Sequence, residues 1–372
     1  MSIRFRTVCA AAALAPLALL AACGSSGSTA SSSSAAASAA PAASSGGGAA
    51  TLSETGSTLM FPLFGAWQAA YATAVPTVTI TSGGTGSGTG IADAATGTVT
   101  IGASDAYLSA SQQAQYKGLI NIPLTVAAVM VNYNVPGVTK PINLNGTVLA
   151  KIYSGKITTW NDKAITALNP GVSLPAVKIV TLHRADSSGS TFLFTSYLSD
   201  QDAAGWASSN VGTTITWPSA PGSLAETGSG GMVSGCGSTK GCLAYIGISY
   251  LAKTRAASLG EAALANKASK FVQPTSTAIN AALATFSATT PATGSQSLID
   301  TTAATGYPII NYEYAVVKKT QPSAASAAAL KAFLKWTLTS GASSAFLSAV
   351  GFEPLPANVT TIAQNEISSI GG

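Results

Sequence analysis

The chain has 372 residues, of which only 8% are charged, and its formal net charge is +5. This length allows two lobes of ordinary size, each with its own apolar core. The 18 Lys and Arg residues are scattered and form no basic stripe, so nucleic acid is not an expected partner, and the low charge does not suit a coiled coil. The abundant Gly, Ser, Thr and Ala are typical of an extracellular α/β protein with short turns.

The first 22 residues have the pattern of a signal peptide. Arg4 and Arg6 precede an uncharged run of apolar or small residues at 8–22, which is shorter than the ~20 residues that a membrane span needs. The run ends in Leu-Ala-Ala-Cys at 20–23, which resembles the bacterial lipobox. We therefore predict lipidation of Cys23 and an extracytoplasmic protein anchored to the cell membrane. The alternative is an ordinary signal peptide with an incidental cysteine.

A low-complexity segment follows the predicted lipidation site. Residues 24–50 are almost entirely Ser, Gly and Ala, so they cannot bury enough apolar surface to offset chain entropy. We predict a disordered linker that, together with Cys23, occupies 23–50. As a flexible coil, its 27 residues after Cys23 reach ~30 Å on average. That length lets a folded domain lie above a membrane partner.

The remaining cysteines, Cys236 and Cys242, are separated by five residues. In an exported protein such a pair is predicted to form a disulfide that closes a small loop. A metal site would need more ligands, and His183 is the only histidine, so no metal and no cofactor are expected.

From about residue 51, strand-like and helix-like stretches alternate. The apolar spacing predicts helices over 61–71, 91–95, 149–153, 190–198, 324–338 and 342–350. Alternating or continuous apolar runs predict strands at 78–80, 99–101, 122–133, 177–182 and 307–317. This order predicts an α/β fold with mostly parallel sheets flanked by helices. Ligands of such sheets lie beyond the carboxyl ends of the strands.

Four turns at these places combine glycine with small hydroxyl residues or an acid. They are Gly56-Ser57-Thr58, Gly86-Ser87-Gly88, Ser104-Asp105 and Ser187-Ser188-Gly189-Ser190. Three of them open a predicted helix, whose first N–H groups and partial positive charge attract anions. Each turn alone is also explained by ordinary helix capping. Four such turns in one chain favour an anion site.

Arg184 and Asp186 strengthen this interpretation. A guanidinium fork matches a tetrahedral oxyanion, and an acid two residues away can hold that fork in place. The alternative is a surface ion pair, but the adjacent turn at 187–190 makes a binding role the better interpretation.

Together with these turns, the motifs at 58–62, 102–105, 152–162, 184–192 and 351–356 resemble the phosphate-binding proteins of bacterial phosphate ABC importers. The resemblance extends in order from residue 51 to the C-terminus. It implies a two-lobed periplasmic-binding-protein-like fold of type II, with a ligand cleft between the lobes. The apolar strands near Met130 and Ile309 are the predicted links, so we expect lobe I at 51–131 plus 309–372 and lobe II at 132–308.

The same motifs imply a site made of small donors, one cation and one acid. The residues that the resemblance places on phosphate are Thr58, Leu59, Ser87, Asp105, Arg184, Ser188, Gly189 and Ser190. Asp186 is expected to orient Arg184. Asp105 is expected to accept the phosphate's own proton, which sulfate lacks at neutral pH. Leu59 stands where the family commonly has an aromatic residue, and Ser190 where it commonly has Thr; a donor survives both changes.

These features predict a monomeric binding protein that passes inorganic phosphate to an ABC permease, and not an enzyme. A secreted phosphatase or phosphodiesterase on the same scaffold is the main alternative, although one histidine and no Ser-His-Asp set leave nothing to activate a nucleophile. A binder of another oxyanion and an adhesive surface lipoprotein are the others. The acid at 105 argues against fully deprotonated anions, and adhesion does not need four donor turns.

Overall fold

The structure is a computed structural model that describes residues 49–372. The predicted signal peptide, Cys23 and nearly all of the linker lie outside the described residues. The first strand begins at Ala50.

The strands of the described chain are mostly short. They are β1 (Ala50–Gly56), β2 (Val78–Thr81), β3 (Ile101–Ser104), β4 (Leu119–Tyr133), β5 (Asn143–Leu144), β6 (Val180–Arg184), β7 (Leu224–Glu226), β8 (Cys242–Gly247), β9 (Gly260–Glu261), β10 (Ala263–Ala265), β11 (Phe271–Val272), β12 (Leu298–Ile299) and β13 (Ile309–Lys318).

The helices follow the predicted strand-turn-helix order. They are α1 (Phe61–Ala74), α2 (Ser87–Thr96), α3 (Ala110–Gln115), α4 (Gly146–Tyr153), α5 (Lys163–Thr166), α6 (Gly189–Gln201), α7 (Gly228–Ser238), α8 (Leu251–Ala256), α9 (Ser276–Phe286), α10 (Ala324–Thr337), α11 (Ser344–Leu347) and α12 (Ala357–Ser368).

Within residues 49–372, ten strands are joined by backbone pairing in the order β2-β1-β3-β13-β4-β8-β6-β7, with β12 beside β13 and β9 beside β4. The strands at each end of this path run parallel, β1 with β2 and β3, and β6 with β7 and β8. A separate small sheet contains β5, β10 and β11. Helices accompany these strands, so the architecture is mixed α/β and two-lobed, as predicted.

The middle of the sheet corrects one part of the prediction. The sheet is not mostly parallel, because β13 runs antiparallel to both β3 and β4, and β4 runs antiparallel to β8. The long strand β4 pairs with β13 through 119–128 and with β8 through 129–133. Apolar runs show that a strand is buried but not which way it points, so this reversal was not visible in the pattern.

Most predicted helices are present, and the one over 342–350 is wrong. Ser343 has extended backbone angles, φ −67° and ψ 154°, and these end a 3-10 turn at Ser340–Ala342 before the four-residue α11. A second 3-10 turn, Ser348–Val350, then closes at Gly351, which has a left-handed φ of 72°. The segment is therefore a series of single turns.

Cys236 and Cys242 form the predicted disulfide. Cys236 lies in the last turns of α7 and Cys242 is the first residue of β8, and both are buried. The bond therefore fixes the C-terminal end of α7 against the sheet.

Glu54 is an acid in the interior of β1, 3% exposed, whose carboxylate accepts a hydrogen bond from the Ser82 hydroxyl at 2.5 Å. Burial raises the pKa of Glu54 to about 8, although the hydrogen bonds from Ser82 and the Gly83 amide lower it. The folded protein therefore keeps a proton on Glu54 up to about pH 8, while the unfolded chain releases it near the ordinary pKa of 4.5.

We expect the wild type to lose stability as the pH rises, and we expect Glu54→Gln not to show this loss. The native state binds one proton more than the unfolded chain between these two pKa values, so the wild-type free energy of unfolding falls from about pH 4.5 to pH 8. Urea unfolding at pH 5 and pH 9 should show a fall of a few kcal/mol that Glu54→Gln lacks. Equal pH slopes in the two proteins would contradict a neutral Glu54.

Candidate functional site

The four predicted turns lie between the two halves of the sheet, because each follows the carboxyl end of a strand and these ends face each other. The strands β1, β2 and β3 run parallel, and β6 runs in the opposite direction. Gly56 ends β1, α2 begins shortly after β2, Asp105 follows β3, and the turn 187–190 follows β6. Three of the turns lead into α1, α2 and α6, as predicted.

Asp105 is the point where these turns meet. Its side chain is 2% exposed, and its two carboxyl oxygens accept hydrogen bonds from the hydroxyls of Ser57 and, at 2.8 Å, Ser190. Its own N–H donates to the Ser87 hydroxyl at 3.2 Å. Since Ser87 accepts this bond, its hydroxyl proton remains available to a ligand.

Two glycines allow the turns to approach this closely. A Cβ on Gly189 would lie 2.6 Å from the Asp105 Cβ and 2.7 Å from the Ser87 hydroxyl. A Cβ on Gly86 would lie 2.7 Å from an Asp186 carboxyl oxygen, and Gly86 has a φ of +97° that other residues rarely adopt. Only glycine fits at either position without displacing its neighbours.

Arg184 and Asp186 form a nearly buried ion pair. The guanidinium donates through Nε to one carboxyl oxygen at 2.7 Å and through Nη2 to the other, and the Arg184 side chain is 2% exposed. Burial would raise the pKa of Asp186, but the hydrogen bonds and charge of Arg184 and the Gly228 amide outweigh burial and lower it. The ion pair uses Nε and Nη2 and fixes the guanidinium, which is the arrangement that the predicted orienting role of Asp186 requires.

The hydroxyl of Thr58 contacts α7, which the sequence analysis did not include in the site. Its oxygen accepts the Ser229 N–H at 3.2 Å and lies 2.9 Å from the Ser229 hydroxyl. The preceding residue, Gly228, donates its N–H to Asp186 at 3.0 Å. The run 227–231 has the same Gly and Ser composition as the predicted turns and also opens a helix, so the signal was present.

The first turn of α6 contributes the remaining predicted residues. Ser188 is the N-cap, and its hydroxyl oxygen accepts the Thr191 N–H at 3.3 Å, which leaves its proton free to donate.

Leu59 is fully buried beside Thr58, and its carbonyl accepts the Ser249 hydroxyl at 2.7 Å. Hydrogen bonds thus bring the predicted binding residues together from both halves of the sheet, through networks centred on Asp105 and Asp186.

Two further observations concern the described residues alone. Across 49–372, no helix combines the length and apolar character that crossing a membrane requires. In the same range, no group of three His, Cys, Asp or Glu side chains is arranged to hold a metal ion.

Comparison with known proteins agrees with this architecture. Residues 40–340 match the family model of a PBP superfamily domain. A protein of Methanocaldococcus jannaschii named phosphate-binding protein PstS is 32% identical over 336 residues, which cover 85% of each chain. A protein of Xylella fastidiosa with the same name is 29% identical over 309 residues, covering 83% of this chain and 82% of that protein.

Solved structures show the same fold at lower identity. A high-affinity periplasmic phosphate-binding protein solved with bound phosphate superposes with a TM-score of 0.65 at 22% identity, covering 87% of this chain and 99% of that chain. A human phosphate-binding apolipoprotein gives a TM-score of 0.67 at 21% identity, covering 84% and 93%. The chain therefore belongs to the PBP superfamily and, within it, to the family of the phosphate-binding proteins.

Proposed function

We propose that this site binds inorganic phosphate and that the protein presents the anion to an ABC importer. The observation that carries the proposal is a buried acid, Asp105, among hydroxyls and at the start of α6, together with the guanidinium that Asp186 fixes in the adjoining network. An acid at the centre of an anion site has a chemical purpose only if the anion brings a proton of its own. Phosphate retains at least one O–H at physiological pH, and sulfate retains none.

The donors proposed for phosphate come from side chains and from helix N-termini. Thr58, Ser87 and Ser188 offer hydroxyl protons, and the N–H groups of 189 and 190 lie in the first turn of α6. Amides at such a position are unpaired within the helix and carry a partial positive charge. Leu59 would bind phosphate only through its N–H. A leucine in place of the family's common aromatic residue therefore leaves this hydrogen bond intact.

The ligand is proposed to join two lobes, with lobe I at 51–131 plus 309–372 and lobe II at 132–308. Support comes from β4, which changes its main partner from β13 to β8 between 128 and 129. The bonds of Thr58 with Ser229 and of Asp105 with Ser190 both cross this boundary. Phosphate held by donors from both sides would favour a closed form that a permease recognises.

Asp105→Asn is expected to relax the preference for phosphate over sulfate. Asparagine offers an N–H to a deprotonated oxyanion and removes the like charge that repels sulfate. Titration calorimetry with both anions should show the ratio of dissociation constants falling by at least about tenfold. Asp93→Asn, which changes an acid of α2 outside the site, is the control. Unchanged discrimination in the first variant would remove Asp105 from the proposed role.

Removing the Arg184 guanidinium should weaken phosphate binding by about tenfold or more, the scale of a lost charge-assisted hydrogen bond. Arg184→Ala alone leaves Asp186 charged and buried, which threatens folding. The double variant Arg184→Gln with Asp186→Asn therefore replaces the pair by neutral groups of similar size. If this variant melts near the wild type and binds phosphate equally well, Arg184 is not a ligand.

We also propose that the protein is a monomer held at the outer face of the membrane by lipid on Cys23. Replacing Cys23 by Ser should move the protein from the membrane fraction to the soluble fraction and abolish incorporation of labelled fatty acid. Cell fractionation with a lipid label measures both. Equal membrane association of the two proteins would contradict the anchor and leave phosphate binding untouched.

A further inference from the structure

The floor of the site contains a second acid that the proposed binding scheme does not use. Glu313 lies in β13 and is 0% exposed. Among the residues that the structure describes, neither of its carboxyl oxygens has a hydrogen-bond partner. A buried acid without partners is costly, so its presence in this buried strand calls for a physical reason.

The strand register places this acid next to Asp105. Tyr314 of β13 is opposite Ser104, the last residue of β3, so Glu313 and Asp105 are the next residues of the two segments beyond this pair. Opposite side chains on antiparallel strands have Cβ atoms roughly 4.5–5.5 Å apart. Asn311, two residues earlier, donates its side-chain N–H to the Asp105 carbonyl at 2.6 Å, which fixes the main chain here.

The surroundings of Glu313 favour its neutral form. Burial, and then the charge and close oxygens of Asp105, raise the pKa of Glu313 well above its ordinary value. On its other side β4 presents Thr125, which does not titrate, and the next residue on its own strand is the buried Tyr314. A second carboxyl group this close disfavours the charged form, so we expect Glu313 to hold a proton.

We propose that Glu313 is a positioning residue whose neutral O–H is directed at the Asp105 carboxylate and holds Asp105 in place as the acceptor of the site. This inference rests on the proposed phosphate site. A carboxylate has about four acceptor positions. The hydroxyls of Ser57 and Ser190 occupy two of them, Glu313 would occupy a third, and the last is left for the proton of the ligand.

Two substitutions separate this role from mere packing. Glu313→Gln keeps a neutral side chain of the same shape with an N–H donor, so phosphate-over-sulfate discrimination should stay close to that of the wild type. Glu313→Leu removes the donor. Asp105 would then lose a donor that holds its carboxyl oxygens in place, and discrimination should fall by about tenfold, the scale of one charge-assisted hydrogen bond. Leucine suits a buried site without a cation, so folding should survive.

Infrared spectroscopy tests the proton directly. At neutral pH the ligand-free protein should show a carboxylic-acid carbonyl band that Glu313→Gln lacks. Adding inorganic phosphate should shift this band, because Asp105 then accepts a further hydrogen bond, from the ligand. Glu54 provides the control, since its raised pKa predicts another neutral acid. Glu54→Gln should remove a separate band and leave the phosphate-dependent shift intact.

The outcomes distinguish this inference from the proposed function. If Glu313→Gln removes no acid band from the ligand-free protein, the inference is wrong whatever the ligand. If the band is present but calorimetry detects no phosphate binding, the acid pair stands and the proposed ligand is wrong. If phosphate binds and leaves the band unmoved, or if the Gln variant loses discrimination as the Leu variant does, Glu313 has no role in positioning Asp105.

Discussion

A carboxylate removed from water must have its oxygens hydrogen-bonded, and in this protein Asp105 meets that requirement only where separate turns converge. Ser57 and Ser190 reach it from segments 48 and 85 residues away along the chain. Their approach depends on glycine at 189 and on the carboxyl ends of β1 and β3, which face the carboxyl end of β6. The sheet therefore determines the site by bringing distant turns to a common position.

The charges of Arg184 and Asp186 balance each other in a way that suits a selective anion site. Arg184 is paired with Asp186, so the guanidinium is held in place and most of its charge is compensated before any ligand arrives. The net attraction for an anion then comes mainly from oriented N–H and O–H groups, whose geometry discriminates between ligands better than a free cation does. Such an arrangement favours selection among anions by the number and position of the protons that each anion carries.

The sequence was most informative where chemistry lies in short contiguous motifs. The turns at 56–58, 86–88, 104–105 and 187–190 and the pair Arg184 and Asp186 could be named from the sequence because each carries its own signal, and hydrogen bonds bring them together in the structure. Ser229 was missed because its contact with Thr58 joins residues 171 positions apart. Glu313 was missed because it lies inside a strand buried on both faces, where no alternation marks a polar position. The antiparallel direction of β13 and β4 was not predicted, because an apolar run carries no information about strand direction.

The continuity of β4 has a mechanical consequence. One uninterrupted strand of 15 residues is shared between the two halves of the sheet, so these halves are not joined by slack chain at this point. Relative movement of these halves has to twist or bend β4, whose backbone is paired with β13 on one side of this point and with β8 on the other. If the halves move about the ligand as proposed, the shared strand favours rotation over translation.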